Sequence, residues 1–117
     1  MENKVKKLSL RIDLAGIAGM DEEQKKPDFS QRAIAANIIK NVMNTYAQGR
    51  HGLSQADRKK FYNVFDTLDK AVADKQDEVE LASEAAGFLR QCFREATLVP
   101  NEILRRAEAL VDGMQGF

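Results

Sequence analysis

The side chains able to do chemistry are few and scattered. His51 is the only histidine and stands in Gly49-Arg50-His51-Gly52. One imidazole cannot build the usual multi-histidine metal site, and no zinc-type Cys–His spacing is present. Between two glycines it reads as a solvated loop residue. Its neighbours suggest a different chemistry. Arg50, His51, Arg58, Lys59 and Lys60 bracket the start of a predicted helix. The free N–H groups of a helix N-terminus attract anions. Together these five residues form a candidate site for phosphate, a nucleotide or a carboxylate. The plainer alternative is a hydrated basic face, because no glycine-rich phosphate fingerprint accompanies them.

Cys92, the only cysteine, falls between Leu89 and Phe93 on an apolar helix face, with Arg90 and Arg94 expected on the other face. A nucleophilic thiol needs a nearby base and an electropositive, partly open setting. A small buried hydrophobe is the better description. Carboxylates cluster at Asp21–Glu23 and at Asp74, Asp77, Glu78 and Glu80. Acid–base catalysis needs two carboxyls held in different environments across a cleft. The second cluster also lacks the central glycine and spaced bidentate glutamate of a calcium loop. Both clusters read as hydrated runs. No catalytic residue, metal ligand or cofactor-binding residue is assigned.

The elements that position these residues follow from periodicity. Leu8, Leu10, Ile12 and Leu14 alternate with Lys7, Ser9, Arg11 and Asp13, the period of a half-buried strand over roughly 4–14. A lone strand leaves its backbone unpaired. Two internal partners present themselves, both poor: the glycine-broken Gly16–Glu23 segment, as the second arm of a hairpin, and the short Val79–Leu81 piece. The remaining solutions are pairing with a second copy or with a different protein, and they make the pairing strand Leu8, Leu10, Ile12, Leu14 a candidate interface, with a dimer favoured. Lys7 and Arg11 would then face the acidic second half.

Four helices are expected after residue 28. The first opens at Ser30 as N-cap with Phe29 as a hydrophobic staple on Ile34, carries the stripe Ile34, Ile38, Val42, Tyr46, and ends at Gly49. The second is capped by Ser54 with Asp57 three residues on, and buries Phe61, Val64, Phe65, Leu68 and Val72. The third covers roughly 83–96 with Phe88, Leu89, Cys92, Phe93 and Ala96 on one face. The fourth has Pro100 in its first turn, an apolar side from Ile103 to Met114, and Gly113 at its end. The fold class is therefore α+β: one domain over 1–117, with a small β element and polar loop over 1–27 and helices over 28–117.

Composition narrows the function. The chain has 117 residues, 44% of them hydrophobic, and a net charge of zero. No window is long and apolar enough for a membrane span, and no secretory signal is expected from its charged opening residues. One cysteine fits a reducing cytoplasmic setting. The first 60 residues carry a balance of +5 and the remainder −5. The two halves either complement each other within one fold or make a dipolar surface that steers a partner. A sequence pI near 6.6 argues against a nucleic-acid binder. A basic face would have to come from Lys4, Lys6, Lys7, Arg11, Lys25 and Lys26 beside the 50–60 cluster, with Tyr46 and Tyr62 as stacking platforms.

The element order carries a resemblance. An N-terminal strand and polar loop lead to Asp28-Phe29-Ser30 and Ala35-Ala36-Asn37-Ile38-Ile39. Arg58-Lys59-Lys60-Phe61-Tyr62 then leads one helix, Val79-Glu80-Leu81 the next, and a short helix closes. This resembles a set of small phage- and prophage-encoded accessory proteins over roughly residues 8–112. The matching motifs are structural punctuation and carry over no functional residue. The resemblance implies a role exercised by binding, as assembly chaperones, adaptors or inhibitors of host defence do. The expectation is a non-catalytic interaction protein acting stoichiometrically on a protein partner. The alternative is a binder of nucleotide or nucleic-acid phosphate through Arg50–Lys60.

Overall fold

A computed structural model describes residues 5–12 and 29–114, with side chains from residue 32 onward in the second stretch. The architecture is α+β. Strand β1 (Val5–Ser9) is followed by helices α1 (Phe29–Gly49) and α2 (Gln55–Ala73), strand β2 (Glu78–Ala82), and helices α3 (Ser83–Glu95) and α4 (Glu102–Asp112). The expected Ser30 cap, the Phe29 staple, Leu14, Lys4, Lys25, Lys26 and the hairpin arm Gly16–Glu23 lie outside the described residues and side chains.

The partner of β1 is β2, the piece that looked too short to serve. They pair antiparallel in the register Val5↔Ala82, Lys6↔Leu81, Lys7↔Glu80, Leu8↔Val79 and Ser9↔Glu78. The need for a neighbour is thus met within the chain, which corrects the reasoning that sent β1 to a second copy. β1 is also shorter than the alternation suggested, ending at Ser9. Leu10 continues the register by donating its N–H to the Asp77 carbonyl at 2.7 Å, and Ile12 then turns back to bond Leu10 O at 3.1 Å. Leu8, Leu10 and Ile12 are all buried as expected.

Parity sorts the two faces of this sheet. Lys6, Leu8, Val79 and Leu81 face inward and are buried, whereas Val5, Lys7, Glu78, Glu80 and Ala82 are exposed. Lys6 therefore leaves the proposed basic face: it lies on the core side at 5% exposure. On the outer face Lys7 stands opposite Glu80, so opposite charges meet across the ladder.

The helices cover the inner face. α2 packs on β2 and not on β1, α4 packs on β1 and not on β2, and α3 touches both. α1 lies across α2, α3 and α4. The core gathers Ile39 and Met43 from α1, Val64 and Leu68 from α2, Leu89 and Cys92 from α3, Val111 from α4, and Leu8, Leu10, Ile12 and Leu81 from the strand segments. Ile34 and Ile38 sit at the margin of the first stripe, whose centre is Ala35, Ile39, Val42 and Met43.

The caps largely follow the sequence. Ser54 Oγ accepts from Asp57 N at 3.2 Å and starts α2. Asn101, not Pro100, starts α4: its Oδ1 accepts from Leu104 N at 2.7 Å, and Pro100 stands one residue before the cap. Asparagine supplies the acceptor that proline lacks. α1 does end at Gly49, but the left-handed residue that closes it is His51, with φ 57°. Gly52 N bonds Ala47 O at 2.9 Å and His51 N bonds Gln48 O at 3.1 Å, the paired bonds of a Schellman cap. Lys75, at φ 58°, closes α2 in the same way. Among the described residues no helix is long and apolar enough to cross a membrane.

Leu81 is fully buried on β2. Leu81→Ala should lower stability by about 2–5 kcal/mol, read from the urea midpoint, because it removes a core side chain and leaves a cavity. A loss under about 0.5 kcal/mol, the scale of surface changes, would mean that β2 does not hold the core.

Candidate functional site

The five-residue basic cluster is split by its local bonds. Arg50 and His51 sit in the turn after α1, and Arg58, Lys59 and Lys60 in the opening turns of α2. The Arg50 guanidinium lies over the Tyr46 ring, 5.4 Å from its centroid. Arg58 donates from Nη1 to the Leu53 carbonyl at 2.7 Å. Lys60 Nζ stands 3.8 Å from Asp57 Oδ1. His51 serves as the exposed left-handed residue of the helix cap. Lys59 is exposed. Arg50 lines a cavity, a space of about 430 Å³ between the ends of α1 and α3 that also carries Thr45, Tyr46, Glu95 and Thr97.

Tyr46 forms the wall of that cavity from inside the core. It is 3% exposed, meets Phe88 edge-on at 5.9 Å, and accepts a hydrogen bond from Gln91 Nε2 at 3.1 Å. Burial raises its phenol above the ordinary value, against a smaller lowering by Arg50. Tyr46 is therefore committed to packing. Tyr62, at 57% exposure, is the aromatic available at the surface. Cys92 is fully buried. Burial, with a smaller contribution from the Asp57 charge, pushes its thiol up to about 12. Among the described residues no group of three or more histidine, cysteine, aspartate or glutamate side chains is placed to hold a metal ion.

The acidic run 74–80 is the segment that sequence reasoning undervalued. It is not merely hydrated. Asp77 accepts from Arg32 Nη1 and, on its other oxygen, from Arg11 Nη2 at 3.0 Å. Its carboxylate is held below the ordinary aspartate value, first by the Arg32 hydrogen bond and then by the Arg11 hydrogen bond. Arg32 has 13% of its side chain exposed, so it depends on this counter-charge. With the bond from Leu10 to its carbonyl, Asp77 joins the end of β1, the start of α1 and the entry to β2. The legible clue was charge: Arg11 and Lys7 are basic where Asp77 and Glu80 are acidic.

The two-stranded sheet offers a different kind of site. The Leu10–Asp77 bond fixes the ladder's parity. Residues of β2 at 77, 79 and 81 turn their backbone toward β1, so Glu78 and Glu80 turn their N–H and C=O groups to the outer edge. Among the described residues no third strand covers that edge. Beside it, on the α2 side, runs a groove of about 460 Å³ lined by Thr67 and Lys70 from the helix and by Gln76, Glu78, Val79 and Glu80. An open edge next to a groove of ligand-pocket size can take an extended chain.

No protein-family model, no curated protein and no solved structure matches the chain.

Two measurements check the local chemistry. The folded value of Asp77 is depressed, so its stabilising contribution is whole above the ordinary aspartate range and is lost as pH falls through the lowered value. The urea midpoint of the wild type should therefore fall more steeply than that of Asp77→Asn between about pH 5 and pH 2. Parallel curves would remove Asp77 from the acid response. Cys92, with its thiol raised, should resist alkylation by iodoacetamide at pH 8 in the native protein and react fully in denaturant. Rapid native labelling would contradict its burial.

Proposed function

We infer that this chain is a non-catalytic binding protein of the cytoplasm that engages a protein partner stoichiometrically through its sheet. One observation carries the reading: the outward-turned backbone of Glu78 and Glu80 borders an open groove. The chemistry of the reactive side chains supports it. The cysteine is a core residue with a raised thiol, the histidine is a helix-cap residue, and Asp77 is held between two arginines. None is poised for turnover. The phosphate reading draws less support, because Arg58, Lys60 and Arg50 already have a carbonyl, a carboxylate and a ring to meet.

The setting we assign is the one the sequence resemblance implies, a phage-encoded accessory protein whose partner is a phage assembly protein or a host protein. A homodimer is the weaker version. Two-fold pairing of β2 edges centred on Glu80, or on Val79 between the two glutamates, brings glutamate to glutamate.

Affinity capture from source-cell lysate tests this reading. The wild type and an Arg58→Glu, Lys59→Glu variant should retain the same protein partner in equal amount, and neither ATP nor short single strands should displace it. Loss of capture in that variant, or displacement by nucleotide with a steep salt dependence, would give the function to the basic cluster. Failure of the wild type to retain any protein would overturn the binding reading.

A further inference from the structure

We propose that the groove beside β2 binds an extended partner segment in which basic residues alternate with apolar ones, added as a third strand to the Glu78–Glu80 edge. This rests on the protein-binding reading above and names what the bound segment must be.

The argument begins with the edge backbone. Glu78 and Glu80 present their N–H and C=O groups away from β1. An incoming strand would satisfy them and take its own face alternation from the ladder. On the outer face its side chains stand beside Glu78 and Glu80, both exposed. Cross-strand neighbours of opposite charge attract and like charges repel, so these positions call for lysine or arginine. On the inner face the intervening side chain lies beside Val79, in the groove that Thr67 and Lys70 of α2 also line. That position calls for an apolar residue, and an ammonium placed there would meet Lys70.

The molecule already shows what this strand accepts. β1 shows it at two positions: on the opposite edge of β2 it sets Lys7 against Glu80 on the outer face and Leu8 beside Val79 on the inner one, while Ser9 faces Glu78 and Lys6 lies inward beside Leu81. A second copy is a poorer occupant. Its β2 brings glutamate to glutamate in a two-fold pair. Its β1, added head to tail, makes a heterologous contact that propagates from copy to copy instead of closing a two-fold pair.

The probe is a synthetic peptide of about ten residues alternating lysine and valine, with an alternating glutamate–valine peptide as control; ten residues amply cover a strand of ordinary length. The lysine peptide should bind wild-type protein with one-to-one stoichiometry by fluorescence anisotropy, and should slow amide exchange at Glu78 and Glu80. A Glu78→Lys, Glu80→Lys variant should lose about tenfold in affinity for it and prefer the glutamate peptide. Glu80→Pro removes an outward N–H without removing a bond to β1, and should abolish binding while the helical circular dichroism persists. Should that variant unfold, the charge-reversed protein, whose backbone is unchanged, decides the matter. Equal binding of both peptides, or binding of neither, overturns the proposal. So does light scattering that shows wild-type copies growing head to tail. A captured protein that protects Glu78 and Glu80 from exchange, yet is not displaced by the lysine peptide, refutes the stated chemistry and leaves the binding reading standing.

Discussion

Everything else in the molecule hangs on a backbone pairing between two five-residue strands roughly 70 positions apart. Closing a loop of that length costs about 4 kcal/mol in chain entropy beyond a constant. The hydrogen bonds alone return little, since each replaces a bond to water. The inward side chains decide the outcome. Leu8, Leu10, Ile12, Val79 and Leu81 are buried where the strands meet the helices. Full burial of such a side chain contributes about 1.5–3 kcal/mol. Five of them exceed the closure cost even after a generous discount for a compact unfolded chain. The sheet is small, but it joins the N-terminal segment to the interval between α2 and α3, and so allows one core to include both.

Charge then fixes where the joint falls. Both halves of the chain are lopsided, and the long-range ion pairs tie one to the other. Arg11 and Arg32 meet Asp77, and Lys40 meets Asp69 while lying over the Phe65 ring. Each runs from the basic first half to the acidic second half. Exposed pairs of this kind contribute little singly. Arg32 differs because it is largely withdrawn from water, and a partnerless guanidinium there would be costly. Asp77 thus discriminates among registers: sliding β1 by one residue would separate Arg11 from it and would turn Leu8 outward.

Local signals were legible in the sequence and distant ones were not. Ser54 and Asp57 announced the start of α2, and the apolar stripes located the helices. The alternation from Leu8 to Ile12 correctly announced inward-facing residues. Its partner was hidden because Val79 and Leu81 supply only two inward positions, straight after an acidic turn, and nothing local points across so long an interval. Lys6 shares the parity of Leu8, so its burial was readable from the alternation, though its charge argued for the surface. His51 is the exposed turn residue that the sequence suggested. Two flanking glycines made a loop evident, but the left-handed cap fell on the histidine, a residue type that tolerates that conformation better than most. Within the basic cluster, the i,i+3 spacing of Asp57 and Lys60 already signalled a local pair. That no described strand covers the outer edge of β2 was not legible, because an edge is defined by what lies beside it in space.

The distance between the paired strands has a consequence for birth as well as for form. β1 is made before β2, which at about 5–20 residues per second follows only after roughly 4–15 seconds. Through that interval the nascent chain carries Leu8, Leu10 and Ile12 on a segment whose partner has not been synthesised. Such a segment is the kind that aggregates, and flanking charges are the usual safeguard. Lys6 and Lys7 interrupt this one. The lysine that ends up inside the finished protein thus also gives the strand charge before its neighbour arrives.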